Sequence, residues 1–253
     1  MLLSELDAYF RSLMDFDRFE RLDGSLNGLQ VGRRELDVTR VAFAVDASLE
    51  TFRRAVGASA QMLFVHHGLF WGRELRVEGV HYDRLKFLIE HDLALYAAHL
   101  PLDLHPEFGN NIGIAAALGL SDVEPFGLYH GVAVGFKGVF ERPRRLQEIA
   151  SILFGSTQEN YGLLPFGPEL VRTVGIISGS GTREAEQAIT QGLDLFITGE
   201  ISHQIYHPCL EAGITVLAAG HYRTEVWGVR QLAEKLARER NVETVFIDVP
   251  TGL

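Results

Sequence analysis

The chain alternates short apolar runs with amphipathic segments, and this rhythm restricts it to few folds. Residues 41–45 and 62–65 have the length and composition of buried strands. Between them, Leu49, Phe52 and Val56 recur at helical spacing. The strands predicted from such runs are 41–45, 62–65, 93–98, 132–139, 174–177, 195–197, 214–218 and 244–249. Strands that alternate with helices predict the α/β fold class, in which helices flank a mostly parallel sheet.

The two halves of the chain resemble each other in this order of elements. The strand, helix and strand of residues 41–67 overlay those of residues 174–199, and the next strand of each half follows in the same alignment. The pattern predicts an internal duplication that gives two related α/β domains, each a β-sheet flanked by helices. A stretch rich in glycine, proline and aromatic residues begins near residue 126. We therefore expect a first domain at 1–126 and a second at 127–253, whose C-terminal segment can pack back on the first.

The composition excludes several functional classes. The single cysteine, Cys209, allows neither an intramolecular disulfide nor a cysteine-rich zinc module. A formal net charge of −10 argues against binding to nucleic acid or to anionic membranes. The sequence contains no apolar run near the roughly 18–20 residues of a membrane span, and its N-terminus lacks the basic region of a signal peptide. These features predict a cytoplasmic protein.

Most of the histidines follow directly on a predicted strand or lie in the turn after it. These are His66, His67, His99, His203, His207 and His221. The carboxylates at the same strand ends are Asp103, Glu200 and Glu225. In an open α/β sheet, ligands bind beyond the carboxyl ends of the strands. Since imidazole nitrogen and carboxylate oxygen together suit divalent zinc, iron or manganese, the pattern predicts a metal site.

The spacing of these residues is compatible with two ions. His66 and His67 are adjacent, and neighbours on a strand face opposite sides, but at a strand end they could address different ions. Two-metal sites hold ions roughly 3.5–4 Å apart, so a carboxylate can bridge them. Asp103 and Glu225 occupy equivalent places in the two halves and are the natural bridging candidates. A structural role, as hydrogen-bonded loop or core residues, is the preferred interpretation for His81, His91, His105 and His130.

Seven short motifs occur in order along the chain. They are Asn27-Gly-Leu-Gln-Val-Gly32, Val45-Asp-Ala-Ser48, Val65-His-His-Gly68, His99-x₃-Asp103, Gly109-Asn-Asn111, Thr198-Gly-Glu200 and Gly220-His-x₃-Glu225. Together they resemble the Nif-three-like dinuclear metal-centre family (YbgI-type proteins), whose members carry the label GTP cyclohydrolase type 2 homologue. The resemblance covers nearly the whole chain and matches the short form of the family, which has no inserted domain. It implies a toroidal homohexamer with metal sites facing an interior cavity.

The resemblance also implies two divalent metal ions per chain and a set of ligands for them. The residues that match the family's ligands are His66, His67, Asp103, His221 and Glu225. His99 then becomes a nearby group that orients the ligands. Zinc, iron and manganese all accept this ligand set, so the sequence does not distinguish between them.

Two functions stay open at this point. The first is a metal-dependent hydrolase that acts on a nucleotide or phosphoester, GTP cyclohydrolase type 2-like by resemblance only. Its candidate general acids and bases are His99, Glu200 and His203. The alternative is a non-catalytic metal-binding ring for storage or delivery, or a scaffold for partner proteins. Several arginines are clustered in the sequence, Arg73 and Arg76 among them. The sequence is therefore compatible with a locally basic cavity despite the negative net charge.

Overall fold

The structure is a computed structural model that describes residues 1–155 and 162–253. Its internal contacts divide the chain into two compact units. The first unit comprises Met1–Leu102 and Val229–Val249, and the second comprises Asp103–Gly228 and Pro250–Leu253. Each unit contains one β-sheet with helices, which confirms the α/β fold class.

The strands and helices carry the following bounds. The strands are β1 (Gly28–Val31), β2 (Arg40–Asp46), β3 (Met62–His67), β4 (Ala94–Ala97), β5 (Ser121–Tyr129), β6 (Val132–Arg145), β7 (Gly162–Pro165), β8 (Leu170–Ile177), β9 (Leu195–Thr198), β10 (Thr215–Ala218) and β11 (Glu243–Phe246). The helices are α1 (Leu3–Leu13), α2 (Phe16–Phe19), α3 (Leu49–Gly57), α4 (Gly79–Glu90), α5 (Leu100–Asp103), α6 (Asn110–Leu118), α7 (Leu146–Phe154), α8 (Ala185–Thr190), α9 (Tyr206–Ala212) and α10 (His221–Glu239). Short 3₁₀ helices occupy Thr182–Glu184 and His203–Ile205.

The sheet of the first unit has the strand order β1-β4-β3-β2-β11. Strands β4, β3, β2 and β11 run parallel, and β1 pairs antiparallel with β4. The central strands are buried on both faces, as expected for a parallel sheet covered by helices. On one face, Phe10 of α1 packs against Phe64 and Tyr96, with ring centroids 5.0 and 5.1 Å apart. On the other face, Phe52 and Leu88 from α3 and α4 join the apolar core.

The sheet of the second unit has the order β5-β6-β8-β9-β10-β7. Its centre, β8-β9-β10, is parallel like β2-β3-β4 of the first unit, and an antiparallel edge strand again follows, here β7. The α6 and α7 side of this core includes Ile114 and Ile149, and the α8 and α9 side includes Ala188 and Cys209. The repeated strand-helix order agrees with the predicted relation between the two halves.

The predicted domain boundary at residue 126/127 lies inside the second unit. The glycine- and proline-rich stretch that suggested it forms the β5–β6 hairpin, in which His130 and Gly131 both have positive φ at the turn. The segment Val229–Val249 belongs to the first unit, since β11 pairs with β2 there. Among the described helices, none has the length and hydropathy to cross a membrane.

Candidate metal centre

The first unit brings three histidines together at the carboxyl ends of its parallel strands. His66 and His67 are the last residues of β3, and His99 follows β4. The ring centroids of His66 and His67 are 4.6 Å apart, and the His99 ring lies 5.0 Å from that of His66. One ring nitrogen from each histidine lies within 4.8 Å of the other two. We refer to these three residues as the histidine cluster.

Oxygen atoms fix the orientation of the two β3 histidines. The Nδ1 atom of the buried His66 lies 3.0 Å from the carbonyl oxygen of Ala98, and His67 Nδ1 lies 2.8 Å from Asp46 Oδ1. Asp46 is in register with His67 across the parallel pair of β2 and β3, which explains this contact. An oxygen acceptor at Nδ1 keeps the proton of the imidazole on that nitrogen. The other ring nitrogen, Nε2, is then the atom that can bind a metal ion, as is usual for metal-binding histidines.

Asp23 orients the third histidine in the same way. Its buried carboxylate lies 2.8 Å from His99 Nδ1 and accepts hydrogen bonds from the backbone amides of Ser25 and Leu100 and from the Asn27 side chain. Burial alone would raise the pKa of Asp23, but the hydrogen bonds from His99 and Asn27 outweigh it and hold the pKa below the usual value. An ionised Asp23 therefore orients the His99 ring.

The second unit holds the two carboxylates predicted to bridge metal ions. Asp103 ends α5, Glu225 lies in α10, and both side chains are buried. A carboxylate oxygen of one lies within 4.8 Å of a carboxylate oxygen of the other. Asp103 Oδ1 also accepts hydrogen bonds from Asn110 at 2.8 Å and from Ser178 at 3.0 Å. Two buried carboxylates this close could bind a divalent cation.

His221 and Glu225 lie one turn apart at the start of α10. His221 Nε2 is 3.2 Å from Glu225 Oε1, and His221 Nδ1 contacts Glu200. The hydrogen bond to Glu225, together with the Glu200 carboxylate, outweighs partial burial and raises the pKa of His221 to about 9. Gly179 approaches this pair so closely that a Cβ at residue 179 would overlap Glu225 Oε1. Its backbone amide donates to Thr224 Oγ1 at 2.9 Å, which ties the turn to α10.

The candidate general acids and bases lie in different surroundings. His99 belongs to the histidine cluster, and Glu200 contacts the His221 ring. His203 is exposed at the start of a 3₁₀ helix, and His207 is exposed in α9. Within residues 1–155 and 162–253, neither of these two belongs to a group of three or more possible metal ligands.

Sequence reasoning did not assign roles to Asp23, Asp46 and Asn110. A usable signal existed for Asp46, because it directly follows the predicted strand 41–45, and the next predicted strand leads into His67. Asp23 lies in a loop dense in turn-forming residues, and its contact with His99 joins residues 76 positions apart. No local pattern predicts such a contact.

The donor set of each unit fits a divalent metal ion. The first unit offers the histidine cluster, whose Nδ1 atoms are held by oxygen acceptors, and the second offers buried carboxylates with a histidine one helical turn away. Imidazole with carboxylate is the combination typical of zinc, iron and manganese sites. The described residues therefore contain groups of histidine and acidic side chains that could bind metal.

The chain is similar to known proteins over its whole length. The family profile of Duf34/NIF3 (NGG1p interacting factor 3) matches residues 1–252. A Treponema pallidum (strain Nichols) protein named GTP cyclohydrolase 1 type 2 homolog is 43% identical over 100% of both chains. The homolog of that name from Pyrococcus abyssi (strain GE5 / Orsay) is 46% identical over 91% of this chain and 92% of its own.

Solved structures agree with this result. TTHA1606 from Thermus thermophilus has a TM-score of 0.91 and 40% identity, with 100% of both chains covered. The protein ybgI, described as of unknown function, has a TM-score of 0.90 and 34% identity, again with full coverage of both chains. The resemblance found in the sequence motifs is thereby confirmed: the chain belongs to the Duf34/NIF3 family.

Proposed function

We propose that the chain is a metal-dependent hydrolase that acts on a nucleotide or another phosphoester. The residues proposed to hold two divalent ions are His66, His67, Asp103, His221 and Glu225. One observation carries the proposal: His66 and His67 have their Nδ1 atoms held by oxygen acceptors, as metal-binding histidines do. The names of the relatives, GTP cyclohydrolase 1 type 2 homolog, point to the same substrate class.

The residues around these ligands prepare them for binding. When bound, divalent ions would lower the pKa of a water molecule towards neutrality and polarise the atom that it attacks. Asp46 holds the His67 ring in place, and Asn110 and Ser178 do the same for Asp103. Side chains that are already held in place need no rearrangement when the reaction begins. This preorganisation is a main source of the rate acceleration in such sites.

His99 is the proposed general base. It lies in the histidine cluster, and its Nδ1 atom contacts the ionised carboxylate of Asp23 at 2.8 Å. A carboxylate at Nδ1 stabilises the imidazolium that forms when Nε2 accepts a proton. The exposed His203 lacks such a partner among the described residues, so the geometry favours His99 over it.

Self-association is a second part of the proposal. Membership of the family supports the toroidal homohexamer that the family resemblance implies. Each chain has a mass of 28.1 kDa, so sedimentation velocity separates a hexamer from a monomer or dimer without difficulty. A single species of about six chains is expected, and a monomer at all concentrations would contradict this part.

The hydrolase proposal is tested by turnover. The protein is reconstituted separately with zinc, iron and manganese, and the loss of GTP and other nucleotides is followed by chromatography, which detects both ring opening and phosphoester cleavage. We expect turnover that falls about 100-fold or more in His67→Ala and is unchanged in His207→Ala, an exposed histidine outside the ligand groups. Stable metal binding without turnover of any phosphoester would instead support the non-catalytic alternative of metal storage or delivery.

A further inference from the structure

The first unit contains a cavity of about 590 Å³ directly after the His-His-Gly motif. Its lining includes Gly68, Trp71, Arg73, His81 and Arg84. The volume falls in the range of small-molecule sites, which is roughly 300–1,000 Å³. None of these residues belongs to the proposed metal ligands, so the cavity is a separate feature that needs its own explanation.

The cavity carries positive charge that the described protein does not neutralise. Neither Arg73 nor Arg84 forms an ion pair anywhere in residues 1–155 or 162–253, although the chain has ten more acidic than basic side chains. Arg84 Nε and His81 Nε2 are shielded from solvent, and in the described structure neither has a hydrogen-bond partner. Buried donors without acceptors are rare in folded proteins, and the oxygens of an anionic ligand would supply what is missing.

The backbone adds to this positive potential. Val80 and His81 line the cavity from the first turn of α4, a helix of 12 residues. The N-terminus of a helix carries partial positive charge and favours anions. The His81 ring is fixed by an edge contact with Phe70, at 5.5 Å between centroids and 89° between ring planes. Guanidinium groups, an imidazole and a helix terminus therefore face one cavity.

Trp71 connects this cavity to the histidine cluster. Its indole Nε1 donates to the carbonyl oxygen of Gly68 at 2.9 Å, which fixes the ring. The ring centroid lies 5.0 Å from that of His99 and 5.8 Å from that of His67, while the side chain stays 36% exposed. A ligand in the cavity can therefore contact a flat aromatic surface and lie beside His67 and His99 at once.

We propose that this cavity binds the phosphate and the planar ring of an organic phosphate of nucleotide size. Arg73, Arg84 and His81 hold the phosphate oxygens, and Trp71 packs against the ring. In the context of the proposed hydrolase, on which this role rests, the cavity is the substrate subsite that sets specificity for phosphorylated molecules. The pairing of guanidinium with phosphate is strong because both partners are charged.

The experiment measures binding to metal-free protein, so that metal ions cannot hold the phosphate. Isothermal titration calorimetry compares GMP with guanosine on the unmodified protein, on Arg73→Met/Arg84→Met and on Arg172→Met. Arg172 is exposed on β8 and does not line the cavity. We expect GMP to bind at least about 10-fold more tightly than guanosine, and the double variant to lose that preference while Arg172→Met keeps it. Circular dichroism of each variant checks that the fold is retained.

Several outcomes would overturn this inference. They are equal affinity for GMP and guanosine, no GMP binding at millimolar concentration, and a folded double variant with full GMP affinity. The test also separates the cavity from the metal site. If GMP binds as expected but the protein takes up no metal, the proposed hydrolase fails and the phosphate subsite stands. If metal-dependent turnover is unchanged in the double variant, the hydrolase stands and the subsite is wrong.

Discussion

Asp46 and Asp23 determine how the histidines of the first unit can act, although neither belongs to the predicted ligand set. Each fixes a ring by its Nδ1 atom, at 2.8 Å in both cases. The histidines themselves could be found from the sequence, because they follow apolar runs at strand ends. Their carboxylate partners could not all be found, because the Asp23–His99 contact depends on how a loop folds back on a distant strand.

The first prediction concerns Asp46. Asp46→Asn replaces the carboxylate that contacts His67 Nδ1 with an amide, so the ring loses part of its orientation. We expect metal affinity to fall about 10–100-fold with little change in stability, since the side chain is partly exposed. Competition with a chromophoric chelator measures the affinity, and Asp122→Asn, at an exposed position, is the matched control. Unchanged affinity in Asp46→Asn would show that this contact does not prepare the ligand.

The second prediction concerns Gly179. It has a φ of +61° and lies against Glu225. In Gly179→Ala, the new Cβ would therefore be strained by the left-handed backbone conformation and would also overlap Glu225. Gly192 has a φ of +65° and open space around it, so Gly192→Ala isolates the backbone cost of about 1–2 kcal/mol. We expect Gly179→Ala to lower the free energy of unfolding by more than this control and to reduce metal uptake. Denaturant unfolding and metal analysis measure both effects, and equal results for the two variants would contradict the account.

At the scale of elements, the sequence predicts the buried strands well and the edge strands poorly. Strands β2, β3, β9 and β10 were predicted to within one or two residues because they are continuous apolar runs. Strands β1, β5 and β7 were not predicted, since they are partly exposed and contain glycine or proline. The last helix, α10, begins at His221, so His221 and Glu225 lie one turn apart on the same helical face.

The third prediction belongs to the 3₁₀ helix Thr182–Glu184. Burial raises the pKa of Glu184, so its ionisation costs stability in the folded protein. The cost is present above the folded pKa and absent at pH values below the ordinary glutamate pKa. We expect Glu184→Gln to raise Tm at neutral pH and to leave it unchanged in acid. Thermal unfolding across this pH range tests the sign, with the exposed Glu186→Gln as control; a Tm gain that is equal at both ends of the range would contradict it.

At the scale of the whole molecule, the sequence predicts the α/β class and the family, and it allows the C-terminal segment to pack back on the first domain, but it does not give the bounds of the two units. In each unit, three adjacent parallel strands are followed by an antiparallel edge strand, which is β1 in the first unit and β7 in the second. The strand-helix order that repeats in the sequence therefore agrees with the likeness of the two sheets. The division depends on the pairing of β11 with β2, which joins residues about 200 positions apart in the chain. Local composition carries no information about such a pairing, and the turn-rich stretch near residue 126 marks a hairpin instead.

The fourth prediction concerns the effect of metal ions on stability, because folding brings the proposed metal-binding residues together. Metal ions that bind the folded chain and not the unfolded one raise stability by mass action, by about 2.7 kcal/mol when the free ion is at 100 times its dissociation constant. We expect Tm to rise with added zinc, iron or manganese in the unmodified protein. His67→Ala should show a clearly smaller rise than His207→Ala, which alters an exposed histidine outside the ligand groups. Differential scanning fluorimetry measures both, and identical shifts in the two variants would argue against binding at the predicted ligands.

The most direct test of the central claim is the metal content of the purified protein, measured by inductively coupled plasma mass spectrometry. The unmodified chain is compared with His221→Ala/Glu225→Ala. The matched control is His207→Ala/Glu211→Ala, the same residue types at the same spacing on the exposed face of α9. We predict about two ions per chain in the unmodified protein and in the control, and a loss of metal in the first double variant with the fold intact. An unmodified protein that takes up no metal after reconstitution with iron, zinc and manganese would contradict the account.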